Sequence, residues 1–210
     1  MKPLPWRTIK APSSSRRLGC RTADLVLALT GKASDAVEVL ISGITAMRSL
    51  GSTFLRSFHL SNLARTYAEL GNYEDAWRCI GEAMTAVETN KERWCEAEVH
   101  RIPGEVSLES LEPDVGKAQA HFERALVVAR AQQAKSWELR AAISMARLWR
   151  DQSKRQQAHD LLAPVYGWFT EGFDTLDLKE VRALVDELTV TVATPYTTLF
   201  LARRFRVVFY

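Results

Sequence analysis

The sequence has no long run of apolar residues and little cysteine. None of its apolar stretches approaches the roughly 18 residues that a membrane-spanning helix requires. The 210 residues include three cysteines, Cys20, Cys79 and Cys95, and no two of them form a CxxC pair. A sparse, odd set of this kind is typical of reduced thiols and argues against a disulfide framework. These absences predict a cytoplasmic protein without a membrane span.

The chain also lacks an excess of charge of either sign. Lys and Arg number 28 and Asp and Glu number 25, which gives a net charge of +3. This balance attracts polyanions weakly, so nucleic acid is not favoured as a partner. The phosphate-binding motif GxxxxGK[ST] is missing, because both Gly-Lys pairs are followed by alanine. His100 and Glu96 lie one helical turn apart without a third metal ligand, and we predict no catalytic residue, no metal and no cofactor.

A small residue, in contrast, recurs at nearly fixed intervals. Ala36, Ala76, Ala118 and Ala158 are separated by 40, 42 and 40 residues. A bulky apolar residue follows each alanine four places later, and a small residue or valine follows seven places later. These followers are Leu40, Ile80, Phe122 and Leu162, and then Gly43, Ala83, Ala125 and Val165. Positions i, i+4 and i+7 share one helical face, so the pattern predicts stacked helices that cross closely.

One unit, residues 57–90, resembles the tetratricopeptide repeat. That repeat has a small residue, an aromatic residue three places on, a small residue nine later and another seven later. Ala64, Tyr67, Ala76 and Ala83 satisfy this spacing, and a second set repeats it with valine in the last place. The second set is Ala146, Trp149, Ala158 and Val165. The resemblance implies an all-α, tetratricopeptide-like helical-repeat solenoid of about four antiparallel helix pairs, with units longer than the usual 34 residues.

The extent of the helical pattern divides the chain into three segments. Residues 1–20 are expected to be a flexible lead, residues 21–189 the repeat domain with a C-terminal capping helix, and residues 190–210 a poorly specified tail. We predict helices at 22–30, 33–50, 53–70, 73–90, 92–110, 115–133, 136–152, 155–171 and 176–189. Pro103 falls inside one of them and removes a backbone donor, so we expect a kink or an early stop there.

The C-terminal part of the repeat domain is rich in aromatic and charged residues. Val165, Trp168 and Phe169 continue one helical face and are expected to be buried under the capping helix. Acidic and basic side chains of that helix are expected to face solvent, among them Asp177, Lys179, Glu180 and Arg182. In the tail, Arg203, Arg204 and Arg206 alternate with aromatic residues, but a loosely attached segment is favoured over an RNA-binding or membrane-binding motif.

Residues 92–101, 146–152 and 161–175 are similar to the C-terminal repeat region of large bacterial signalling regulators. Those proteins join an adenylate or guanylate cyclase-like domain, or a DNA-binding domain, to an AAA-type ATPase and a tetratricopeptide tail. The resemblance covers residues 50–189, and 22–49 more weakly. It implies a non-catalytic sensor or docking module, with an ATPase or cyclase domain as an intramolecular partner. The alternatives are a fragment of a nucleotide cyclase or ATPase whose catalytic domains are absent here and, less favoured, an RNA-binding helical repeat.

A protein or peptide partner is expected on the inner face of the first helix of each pair. Aligning the units on their small residue places nine polar residues on this face. They are Ser61, Arg65, Glu69, Glu98, Arg101, Glu105, Arg140, Arg147 and Arg150. The set becomes more basic toward its C-terminal end, which suits an acidic or carboxylate-bearing peptide because arginine forms paired charge-assisted hydrogen bonds. The alternative, that these are solvated surface charges, stays open.

Overall fold

The structure is a computed structural model that describes residues 33–53 and 55–190. Regular elements in these two ranges are all helical. They are α1 (Ala33–Ser49), α2 (Arg56–Glu69), α3 (Tyr73–Asn90), a 3₁₀ helix (Arg93–Cys95), α4 (Glu96–Glu109), α5 (Val115–Ala131), α6 (Lys135–Asp151), α7 (Arg155–Gly167) and α8 (Leu176–Val190). The predicted lead, the predicted helix 22–30 and residues 191–210 of the predicted tail lie outside the described residues.

The helices stack in two layers, as the repeat pattern predicts. Three helix pairs, α2 with α3, α4 with α5 and α6 with α7, pack along their lengths. The first helices of these pairs also contact one another in the order α2, α4, α6, and α8 continues this layer beyond α6. At the other end, α1 packs against α2 as the second helix of a preceding unit. The all-α repeat architecture is therefore confirmed.

The repeating alanines lie where neighbouring helices cross. Ala36, Ala76, Ala118 and Ala158 are all 0% exposed, and each bulky residue four places later is buried beside its alanine. The third column departs from the pattern at Gly43, which is half-buried and has no atom within 4 Å of the place where a Cβ would lie. No close helix crossing requires a small residue at position 43, whereas the equivalent residues of the later units are buried.

Three of the turns between successive helices have the same backbone geometry: those from α2 to α3, from α5 to α6 and from α6 to α7. The second residue after the helix adopts a left-handed conformation at Gly71, Gln133 and Ser153, with φ of 77°, 55° and 63°. At the first of these turns, the Asn72 amide donates to the Tyr67 carbonyl at 2.8 Å, and the other two contain the equivalent bond. This arrangement satisfies carbonyls that a helix end leaves open and turns the chain back on itself. Glycine fits that conformation without steric cost, and the repeat also accepts Gln and Ser.

The expectation of an early helix stop at Pro103 is wrong. Helix α4 begins at Glu96, three residues after the start of the 3₁₀ helix, and continues six residues past the proline to Glu109. Pro103 itself is buried, and its carbonyl accepts a hydrogen bond of 2.8 Å from the Ser107 hydroxyl. Burial of apolar neighbours such as Ile102 and Val106 on the same helix offsets the backbone bond that proline cannot make.

The predicted burial beneath the last helix is correct for Val165 and wrong for Trp168. Val165 is buried and Phe169 is half-buried against the C-terminal core. Helix α7 ends at Gly167, earlier than the sequence predicts, so Trp168 follows the helix and does not continue its apolar face. Its ring is 57% exposed and contacts Phe169 edge to face at 5.2 Å between ring centres.

Ala76→Leu is expected to lower the free energy of unfolding by about 1–3 kcal/mol, because the added carbons must enter a filled helix crossing. Urea unfolding measures this loss. Glu88→Leu on the same helix is the matched control, since Glu88 is exposed and surface changes usually stay within about 0.5 kcal/mol. Equal losses in the two variants would contradict the close crossing at Ala76.

Candidate functional site

A groove of about 480 Å³ crosses the layer formed by α2, α4, α6 and α8. Six of the residues predicted for the inner face line it: Arg65, Glu98, Arg101, Glu105, Arg140 and Arg147. They come from three successive repeats, because the first helix of each pair faces the same way. Aligning the repeats on their small residues thus selected side chains that line one groove, although the first and the last are more than 80 residues apart in the chain.

The centre of the groove is a buried charged network on α4. The Arg101 and Glu98 side chains are 8% and 5% exposed, and two parallel bonds of 2.7 Å join the guanidinium to the carboxylate. Arg101 also pairs with Glu105. The Ser144 hydroxyl from α6 lies 3.1 Å from both Arg101 Nη1 and Glu105 Oε1. This network joins two repeats. The Arg101 guanidinium interacts with two carboxylates and a hydroxyl of the protein itself, so it is not available to a partner.

Electrostatic coupling keeps this network ionised. Burial on its own would raise the pKa of Glu98, but the adjacent Arg101 outweighs it, helped by Arg140 and Arg65, and the pKa is lowered. Burial would likewise lower the pKa of Arg101, yet Glu105 and Glu98 raise it. The groove floor is thus a fixed set of charges at neutral pH.

Along α6, the arginines are paired with carboxylates of α8. Arg140 Nε lies 2.7 Å from Asp177 Oδ2, and Arg147 Nη2 lies 2.7 Å from Glu180 Oε1. The expectation that Asp177 and Glu180 simply face solvent is therefore wrong, because both point at α6. These side chains are 29–48% exposed, so solvent screens the pairs and each contributes little to stability. A carboxylate from a partner can compete for such arginines.

The remaining predicted residues lie beside the groove. Ser61 is buried, and its hydroxyl donates to the Ser57 carbonyl at 2.9 Å, so it presents nothing to a partner. Glu69 is exposed and pairs with Arg65 at 3.2 Å. Arg150 extends the row on α6 and contacts Asp151 at 2.9 Å and Glu187 at 3.2 Å. The last contact again joins α6 to α8.

Sequence reasoning missed half of the groove lining. The missed residues are Ile143, Ser144, Leu176, Asp177, Lys179 and Glu180. Four of them belong to α8, which was predicted only as a capping helix with its charged side chains in solvent. A usable signal was present, since acidic residues of α8 recur three and ten places after Asp177, and α8 is two helices after the arginine-rich α6. With these residues, the groove has five cationic and four anionic side chains and is close to neutral.

The thiols of Cys79 and Cys95 and the imidazole of His100, none of which lines the groove, are held in unreactive forms. Burial raises the pKa of the Cys79 and Cys95 thiols to about 11, so neither forms a thiolate readily at neutral pH. Burial, with Arg124 and His121 nearby, lowers the pKa of His100 to about 4 and keeps its imidazole neutral. Among residues 33–53 and 55–190, no cluster of three or more potential metal ligands occurs. The groove offers charge and shape for noncovalent binding.

No protein-family model matches the chain, and no curated protein sequence matches it. Among solved structures, it is similar to the crystal structure of a putative kinesin light chain from Podosopora anserina with nearly identical TPR-like repeats. The two share 14% sequence identity with a TM-score of 0.57, over 86% of this chain and 88% of that one. The fold is a tetratricopeptide-like helical repeat. At this identity the similarity establishes the fold alone.

Stacking of helical repeats of this kind produces extended concave surfaces. In the part of the chain that the structure describes, no helix is both long enough and apolar enough to span a bilayer.

Proposed function

We propose that this tetratricopeptide-like protein is a non-catalytic interaction module whose groove binds an extended acidic peptide. The observation that carries the proposal is the single groove to which α2, α4, α6 and α8 all contribute charged side chains. A peptide laid across these helices meets arginines from successive repeats. This arrangement gives it several weak contacts in a fixed order, which favours an extended chain over a compact ligand.

The arginines of this groove are of two kinds: one is held by buried ion pairs, and the others form exposed ion pairs in which a ligand can replace the carboxylate. Arg101 is locked to Glu98 and Glu105 and shapes the floor. Arg140 and Arg147 are held by half-exposed pairs that solvent already weakens. A peptide carboxylate that replaces Asp177 or Glu180 as the partner regains a charge-assisted hydrogen bond of similar quality. Arg65, with its exposed partner Glu69, offers the same exchange at the other end.

The near-neutral groove supports a peptide over RNA. A nucleic-acid surface needs cations that are free to neutralise several phosphates. Here each arginine that lines the groove already contacts at least one carboxylate. A short acidic peptide requires only a few exchanged contacts, whereas a polyanion would meet the carboxylates of α4 and α8 as well.

For its biological setting, we propose the cytoplasm and the C-terminal part of a bacterial signalling regulator, with an ATPase or cyclase domain as an intramolecular partner. The support is the sequence similarity of residues 92–101, 146–152 and 161–175 to such regulators. The alternative is a fragment of a nucleotide cyclase or ATPase. The DNA upstream of the Met1 codon tests this setting: a continuous frame that encodes an ATPase would support the regulator, a frameshifted one would favour the fragment, and unrelated sequence would count against both.

Arg147→Glu is expected to weaken binding of a fluorescein-labelled pool of ten-residue peptides, randomised over Asp, Glu, Ser and Gly, by about 10- to 100-fold. That range corresponds to the loss of one charge-assisted hydrogen bond worth about 1.5–3 kcal/mol. Fluorescence anisotropy at low and physiological salt measures the change. Binding to the unaltered protein is expected to weaken as salt rises, because the contacts are partly exposed.

Arg182→Glu is the matched control, since it reverses the same charge on the exposed side of α8, away from the groove. It should change the affinity by less than about twofold. Equal weakening by the two reversals would mean that net charge, not the groove, governs binding. Failure of the pool to bind the unaltered protein would overturn the acidic-peptide proposal.

A further inference from the structure

A second groove, of about 690 Å³, lies between α5 and the 3₁₀ helix that precedes α4. It shares no lining residue with the groove across α2, α4, α6 and α8. One wall consists of Arg93 and Trp94, and the other of Arg124, Val127, Val128 and Ala131. We refer to it as the α5 groove.

Apolar side chains are exposed on both walls of the α5 groove. Arg124, Val127, Val128 and Ala131 follow one another at i, i+3, i+4 and i+7, so they form one stripe along α5. Val127 is 57% exposed, and Trp94 across from it is 39% exposed. The opposite face of α5 already supplies the buried contacts of the repeat, including Phe122. Within the stripe, Val128 is 6% exposed and packs with Ala97 and Trp137, so the stacking of helices accounts for Val128 but not for the exposed Val127.

The Trp94 ring is held in place before any partner arrives. Its centre lies 5.3 Å from that of Phe58 and 6.2 Å from that of Trp137, which come from the first turns of α2 and α6. The Arg93 carbonyl is fixed by a hydrogen bond of 2.8 Å from the Gln132 side chain. A rigid tryptophan between neighbouring repeats loses little entropy on binding, and tryptophan and arginine are enriched among the residues that dominate interface energies.

Positive charge predominates around this apolar stripe. Arg93 and Arg124 are cationic lining residues, and Glu96 is the acidic one. Arg124 lies 3.9 Å from Glu96 and is 57% exposed, which makes their interaction weak. The Arg93 side chain is exposed and forms no ion pair with another described residue. The groove is thus complementary to an anionic partner that also carries apolar side chains.

We propose that the α5 groove is a second binding surface, occupied by a short acidic segment of a partner protein that carries apolar side chains. One apolar side chain packs between Trp94 and Val127, and flanking carboxylates pair with Arg93 and Arg124. The proposal is independent of the peptide groove across α2, α4, α6 and α8.

The test uses two fluorescein-labelled pools of 12-residue peptides made of Asp, Glu, Ser and Ala. One pool carries Leu, Ile, Met or Phe at two positions four apart, and the reference pool carries Ser there. The apolar pool is expected to bind the full chain about tenfold more tightly than the reference pool. Val127→Glu should abolish this advantage. Leu111→Glu is the matched control, because Leu111 is an exposed aliphatic residue outside the groove, and it should change binding less than about twofold.

Nuclear magnetic resonance locates the bound pool on the protein. The indole N–H signal of Trp94, assigned through Trp94→Phe, is expected to shift on addition of the apolar pool. Arg147→Glu should leave the Trp94 shift and the advantage of the apolar pool over the reference pool unchanged, which separates the α5 groove from the peptide groove.

Several outcomes would overturn the proposal. These are absence of binding by the apolar pool, equal binding of both pools, equal effects of Val127→Glu and Leu111→Glu, and loss of the Trp94 shift with Arg147→Glu. Sedimentation velocity provides a further check. Self-association that Val127→Glu removes would assign the groove to a second copy of this chain and contradict an acidic partner.

Discussion

Arg101→Met is expected to destabilise the protein by about 3–5 kcal/mol at pH 7, because it leaves a buried carboxylate without its partner. Arg101 holds Glu98 through two bonds of 2.7 Å, and both side chains are almost fully buried. Methionine keeps much of the arginine stem and fills the space, so the loss reports on the missing charge. Urea unfolding at pH 7 measures it. The double variant Glu98→Gln/Arg101→Met should recover a large part of the loss.

The stability of Arg101→Met is expected to depend on pH differently from that of the unaltered protein. In the unaltered protein the pKa of Glu98 is below its unfolded value, so its ionisation contributes stability above the unfolded pKa that is lost as pH falls through the folded pKa. Without Arg101, burial of the Glu98 carboxyl dominates and its pKa rises. Protonation of Glu98 then removes the cost of burying its charge. The gap in free energy of unfolding between Arg101→Met and the unaltered protein should therefore narrow from pH 7 to about pH 4. A gap that stays constant over this range would contradict the role of Glu98.

Gly104→Ala is expected to destabilise the protein by about 1–3 kcal/mol, although alanine ordinarily stabilises a helix interior by up to about 1 kcal/mol relative to glycine. A Cβ at position 104 would lie 2.4 Å from Cε1 and 2.7 Å from Cδ1 of the Phe122 ring. That ring is fully buried, so the added methyl group forces the ring or its packed neighbours to shift. In a protein of this size, each kcal/mol lowers the melting temperature by about 2–4 °C, which calorimetry detects.

Gly81→Ala is the matched control for this prediction, since Gly81 also lies within a helix but no atom is within 4 Å of its Cβ position. It should be neutral or stabilising. Combining Gly104→Ala with Phe122→Leu should cost less than the sum of the two single changes, because the smaller side chain leaves room for the methyl group. Gly104→Ala and Gly81→Ala behaving alike would contradict the contact between α4 and α5.

The helical layers followed from the sequence because they depend on local periodicity. Ala76 with Ile80, and Ala118 with Phe122, mark one face of a helix through spacing alone, and the small residue marks the crossing. The two ends of helix α3 were predicted to the residue. Pro103 misled the prediction, because tertiary burial around α4 outweighs a local rule about backbone donors.

The charges of the peptide groove were only partly predictable. Periodicity placed Arg140 and Arg147 on the inner face, but it carries no information on which carboxylate each arginine meets. Those partners, Asp177 and Glu180, come from a helix packed beside α6 in space and depend on how the last unit docks. Burial of Ser61 is likewise set by neighbouring helices, so a helical-face assignment alone cannot tell a groove residue from a core residue.

The central claim is that the layer of first helices receives a polypeptide. Site-specific photo-cross-linking tests it most directly, with a benzophenone amino acid placed in the groove at Leu176 or Lys179, and on the other layer, away from the α5 groove, at Glu88 of α3 or Gln156 of α7. All four residues are exposed, so substitution should not disturb the fold. On irradiation in cells that make the full chain, adducts with another polypeptide or another domain of the same chain are expected from the two groove positions. Adducts from Glu88 and Gln156 alone, or equal adducts from all four, would contradict the account.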